Sequence, residues 1–208
     1  MLSKAREILA RVPILVWFLS VTLVLVIGGV LLVTKMGPGT QKEDATKPEK
    51  VSKEVVGTDV FSIVSREHIQ FGTPGSNYNS DPPTSGPHWG SPVDKGIYDK
   101  EFPDEQLIHN LEHGYILISY RSAKSDLQPS QATPDASLKS ATPDEINQLK
   151  SIVEKDDWKI VMSPREKDQT KIVLAAWGRV LKLDDFDEKK IKDFISTYRN
   201  RGPERTPE

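Results

Sequence analysis

The chain has 208 residues, no cysteine and a formal net charge of −2. Lacking cysteine, it has no disulfide, no thiol redox chemistry and no thiolate metal ligand, so imidazole and oxygen must hold any metal. Residues 1–35 carry four basic residues and one acid, which leaves the remainder at −5 and offers no basic footprint for nucleic acid.

Residues 1–13 read as a short basic tail with Lys4, Arg6 and Arg11. Residues 14–34 contain no charge and are rich in Leu, Val and Ile. At helical rise such a run covers roughly 31 Å, enough to cross the hydrocarbon core of a bilayer. The run is longer than the apolar region of a secretory signal and ends without a small-x-small cleavage site, which predicts an uncleaved signal anchor. The basic residues before it place the N-terminus in the cytoplasm. A single-pass protein of the cell membrane is therefore expected, with the bilayer as its partner through residues 14–34 and everything beyond lying outside the membrane. Residues 35–57 are polar and charged and predict a flexible linker. An extracytoplasmic domain is expected over 58–205.

Within that domain, residues 71–103 hold six prolines and five glycines and show no helical or alternating pattern. Phe71, Tyr78, Trp89, Tyr98 and Phe102 mark this stretch as an ordered loop, since a disordered linker is poor in aromatics. A helix is predicted from Asp104 to a stop at Gly114, with a rival reading that makes 106–120 extended throughout. Residues 115–120 read as a central strand, and 121–141 as a solvated loop. Thr142-Pro143-Asp144-Glu145 is a capping box that opens a helix with Ile146, Leu149, Ile152 and Val153 on one face. Residues 158–163 and 171–177 read as two strands whose closeness suggests an antiparallel pair, and 179–183 as a further short strand. A closing helix is expected over 187–199. Helices interspersed with a largely antiparallel sheet make the expected class α+β.

Several strings in this domain carry a resemblance. Residues 78–88, ending in Pro82-Pro83-Thr84-Ser85-Gly86-Pro87-His88, stand with Gly96-Ile97-Tyr98 and with His109-Asn110-Leu111-Glu112-His113-Gly114. Ala176-Trp177-Gly178-Arg179 and Gly202-Pro203-Glu204 complete the set. Over about residues 60–205 the chain resembles domain-of-unknown-function family 3105. The resemblance implies a membrane-anchored or exported prokaryotic protein, and it brings no reaction with it.

All four histidines fall in a window of 46 residues, between His68 and His113. His109 and His113 are four apart, a spacing that puts both on one helix face, where they can ligate one ion. His88 offers a third nitrogen and His68 a fourth, with His68 the expected bystander if one stays out. Imidazoles without cysteine suit zinc or copper(II). The string H-x-x-E-H also matches the inverted zinc-peptidase motif, in which Glu112 would be the general base of a hydrolase. Glu112 reads equally as a group that orients a histidine. Tyr78, Asn79, Thr84 and Ser85 are candidates for a pocket floor, or for turn residues, with Asn79 and Thr84 bonding their own backbone. Two classes of function follow. One is an extracytoplasmic metal-binding domain; the other is a metal-free module presenting the proline- and glycine-rich loop to a protein partner.

Overall fold

The computed structural model describes residues 51, 53–122 and 139–207. The expected cytoplasmic tail, residues 1–13, and the expected membrane span, residues 14–34, lie outside the described residues, as does most of the polar loop at 121–141. Among the described residues no helix is long and apolar enough to cross a membrane.

The class is α+β, with a mostly antiparallel sheet and three helices among the described residues. The strands are β1 (Thr58–Val60), β2 (His68–Ile69), β3 (His88–Trp89), β4 (Gly96–Ile97), β5 (Ile116–Tyr120), β6 (Ile160–Pro164), β7 (Ile172–Ala176) and β8 (Arg179–Leu183). The helices are α1 (Asp104–Glu112), α2 (Pro143–Lys155) and α3 (Glu188–Tyr198). Six strands make one sheet in the order β1-β8-β7-β5-β6-β4, and β2 and β3 form a separate two-stranded piece.

β5 sits inside the sheet, and all five of its residues are buried because both sheet faces are covered. Strand side chains alternate between faces. Ile116, Ile118 and Tyr120 accordingly pack with Leu149, Ile152 and Val153 of α2 and with Ile191, Phe194 and Ile195 of α3. Leu117 joins the other core, with Val161 and Ala175 from the sheet, Trp177 from the turn between β7 and β8, and Leu107, Ile108 and Leu111 from α1. Burying one such aliphatic side chain is worth about 1.5–3 kcal/mol. This packing fixes α1, the carrier of His109 and Glu112, against one face of the sheet.

The expected hairpin of 158–163 with 171–177 is corrected. β6 and β7 do not pair; β5 lies between them, parallel to β6 and antiparallel to β7. A parallel neighbour needs a crossover, and α2 supplies it between β5 and β6. After β6 the chain steps over the end of β5, where the crossing is held by charge. Arg165 pairs with Asp81, Asp104 and Asp168, and Asp168 accepts a hydrogen bond from the Ser119 hydroxyl on β5. A segment that looks like a polar turn is thus a buried ionic clasp.

The expected linker also needs correction at its end. Val51 is buried in the α2 and α3 core and Val55 packs against it, while the Glu54 carboxylate meets Arg179 and the Tyr198 hydroxyl. The folded part therefore begins before residue 58. The helix starts read as expected: Thr142 and Glu145 form a reciprocal capping box on α2, and Asp187 caps α3. The extended alternative for 106–120 falls to the α1 helix, which Gly114 ends at φ 81°. A Cβ on Gly114 would stand 2.7 Å from Cα of Asn200, so this turn needs glycine twice over.

Candidate metal centre

Three short elements converge at the C-terminal end of α1. β2 and β3 run parallel with His68 opposite His88 in register. Nine residues of helix carry His109 and Glu112 three positions apart, a spacing that makes them neighbours on one helix surface. One ligand atom from each of His68, His88, His109 and Glu112 lies within 4.8 Å of all the others.

Glu112 Oε2 is the common point. It lies 3.0 Å from His88 Nε2, 3.2 Å from His68 Nε2 and 3.8 Å from His109 Nδ1. Ligands about 2.0–2.1 Å from a tetrahedral zinc stand about 3.4 Å apart, so this donor set is close to the dimensions of a metal cage. The three rings gather round the same point, with centroids 4.8 Å apart for His68 and His88, 4.9 Å for His68 and His109, and 5.4 Å for His88 and His109.

The electrostatics suit a cation. Burial, and then the neighbouring His113, His88 and His68, push the His109 imidazole down to about 4, so it is neutral with its lone pair available. Its Nδ1 is buried and makes no hydrogen bond among the described residues. Burial works to raise Glu112, yet hydrogen bonds from His88 and Arg66 hold the carboxyl at about 2. A neutral imidazole has one N–H. If His88 spends it at Nδ1 on the Gly86 carbonyl 2.8 Å away, Nε2 faces a carboxylate with a lone pair. A cation between them relieves that repulsion; in its absence the other tautomer puts the proton on Nε2, which then donates to Glu112.

The proline- and glycine-rich loop is ordered by its own polar side chains. Asn110 of α1 accepts from Val93 N–H and donates to the Val93 carbonyl, docking the loop on the helix. The Tyr78 hydroxyl donates to the Pro87 carbonyl one residue before His88, and the Trp89 indole N–H donates to the Thr73 carbonyl. Asn79 donates to the Ser62 carbonyl; Ser85 accepts from Val64 N–H; Thr84 N–H donates to the Ser80 hydroxyl. Tyr78, Asn79 and Ser85 thus fasten the loop that presents His88 through bonds to residues 9 to 21 positions away.

His68, the expected bystander, stands in the cluster, and His113 stands beside it. The His113 ring lies 4.5 Å from that of His109, but its Nε2 is 3.6 Å from Glu204 Oε2. The H-x-x-E-H arrangement needs both histidines on one ion and the glutamate behind them. Here Glu112 is in the donor set and His113 is outside it.

Several residues of the site are not evident from the histidine pattern. Arg66 Nε donates to Glu112 Oε1 at 2.9 Å, and its Nη2 donates to Glu204 at 3.0 Å. Arg66 lies two residues before β2 and outside any strand, so no periodicity in the sequence marks it. The C-terminal tail closes the back of the site. Glu204 N–H donates to the Glu112 carbonyl, and a Cβ on Gly202 would stand 2.1 Å from that same oxygen. The buried Lys159 ammonium donates to the carbonyls of His113 and Thr206 and to the Asn200 side chain, stitching the tail to the end of α1.

The family described as Protein of unknown function (DUF3105) matches residues 70–133 and 137–208, more than half of the chain. The chain belongs to this family. No curated protein and no solved structure matches it. The matched segments contain His88, His109, Glu112, the Lys159 ammonium and the Glu204 tail, and begin two residues after His68.

Proposed function

We propose that this protein binds one divalent ion, zinc or copper(II), in a domain held outside the cell membrane by a single N-terminal anchor. The observation that carries the metal reading is the convergence of His68, His88, His109 and Glu112 on one point, with the buried Nδ1 of His109 left without a hydrogen bond among the described residues. A buried polar atom without a partner is costly, and bonding to a metal ion removes that cost. Three imidazoles and a carboxylate are borderline donors, which favours zinc or copper(II) over calcium or magnesium. The anchor is supported by the uncharged run at residues 14–34.

The test is elemental analysis of the full chain, purified in detergent without a histidine tag. One zinc or copper per chain, absent from His88→Ala and His109→Ala, is the expected result. Metal-free protein whose melting temperature does not move on adding zinc or copper(II) rejects it. Anchoring is tested separately by carbonate extraction of membranes, where the full chain stays with the pellet and a chain lacking residues 1–35 does not.

A further inference from the structure

We propose that His68 is the exchangeable ligand of this centre, and that an outside imidazole takes its position when the ion is loaded or passed on. This rests on the metal reading above and gives it a direction: an ion in transit rather than one locked in place.

The four donors are not held alike. The side chains of His88, His109 and Glu112 are 0%, 7% and 1% exposed, whereas that of His68 is 48% exposed. The protected three are anchored in the core: His109 and Glu112 on a helix whose neighbours Ile108 and Leu111 are fully buried, and His88 by its Nδ1 contact with the Gly86 carbonyl. His68 rides on a two-residue strand that pairs with β3 alone and stands outside the six-stranded sheet. No backbone carbonyl fixes its ring among the described residues in the way Gly86 fixes that of His88. Swinging the His68 ring outward gives up its contacts with the His88 and His109 rings but none with either hydrophobic core cluster, and opens the centre on that side, while three ligands keep the ion.

Metal sites that keep the ion in place are closed by four rigid protein ligands; those that exchange or react leave one position open. A half-exposed fourth ligand is intermediate between the two. In the exchange the bond from His68 Nε2 to the ion breaks as the incoming nitrogen lone pair forms its own. The ion keeps its charge, and no electron is transferred. A histidine side chain of a metal-carrying partner and free imidazole share this chemistry, and free imidazole is the probe.

The full chain in detergent is loaded with zinc, and release into excess chromophoric chelator is followed by stopped flow for wild type, His68→Ala and His88→Ala. His68→Ala is expected to carry one zinc per chain and to release it on the order of tenfold faster or more, taking the ligand-shell costs of other sites as a guide. Added imidazole is expected to slow that release toward the wild-type rate, and His88→Ala to carry no zinc. The proposal is overturned if His68→Ala is folded by circular dichroism but holds no zinc, if it releases zinc at the wild-type rate, or if imidazole has no effect. It is overturned equally if His68→Ala does not fold, because the proposal requires a side chain the fold can spare. Wild type without metal is a different result, which rejects the metal reading itself.

Discussion

Replacing Glu112 by Gln tests the centre without any metal in the tube. The carboxylate is 1% exposed and accepts from Arg66 at Oε1, while its Oε2 contacts His88 at 3.0 Å and His68 at 3.2 Å. Glutamine keeps the shape but turns one oxygen into an amide donor and removes the charge. Turned with its oxygen toward the histidines, its amide faces the Arg66 guanidinium, and two donors meet. Arg66 is 45% exposed, so water takes over that contact and its loss is worth under about 1 kcal/mol. The contact with fully buried His88 has no such substitute, and there a charge-assisted bond becomes a neutral one, which costs about 1 kcal/mol. At about 2–4 °C per kcal/mol for a domain of this size, the melting temperature of Glu112→Gln falls by roughly 2–8 °C in chelator at pH 7. Arg66→Ala falls by less. Equal melting of Glu112→Gln and wild type would refute the account of Glu112 as the charged hub of the site. A larger loss for Arg66→Ala than for Glu112→Gln would refute the weighting of its partners.

Burial works to raise Asp104, but Arg165 and Lys167 hold it below its ordinary value of 3.8, so its stabilisation is present above that pH and is lost as pH falls below it. Asp104→Asn therefore lowers stability by about 1.5–3 kcal/mol at pH 7, and the difference from wild type in urea unfolding shrinks below about pH 4. Lys159→Met leaves the His113 and Thr206 carbonyls without their ammonium donor. It costs at least about 2 kcal/mol and exposes the tail beyond residue 200 to limited proteolysis, read by mass spectrometry. Thr142→Ala removes the capping box of α2 and costs about 1 kcal/mol, with no change in metal content by elemental analysis.

What the sequence made legible was local. The capping box at Thr142, the apolar stripe of α2, the stop at Gly114 and the strand 179–183 each follow from residues within one or two turns of one another. Strand order did not follow, because β5 finds β7 through a clasp built from Asp81, Asp104, Arg165 and Asp168, residues up to 87 positions apart. Charges in a short segment look the same in sequence whether they face water or each other. The parallel pair of β2 and β3 escaped notice for a similar reason. Two residues per strand carry no periodicity, and what joins them is the loop between, folded back by Tyr78 and Ser85.

The pairing of histidines within α1 shows how far spacing alone carries. Four residues apart, His109 and His113 share a face of any helix that continues through both. This helix ends at Glu112; His113 is its C-cap, and Gly114 at φ 81° turns the chain toward β5. The tail then returns over the helix end, with Gly202 against the Glu112 carbonyl, and brings Glu204 to the His113 ring. His109 is left to pair with Glu112 at three residues, and the second and third imidazoles come from β2 and β3 rather than from the helix. A motif that looks like a helix supplying two ligands and a base is here a helix that brings one imidazole and one carboxylate to the cluster. His113 still stands beside His109, with ring centroids 4.5 Å apart, but its Nε2 faces Glu204 rather than the cluster.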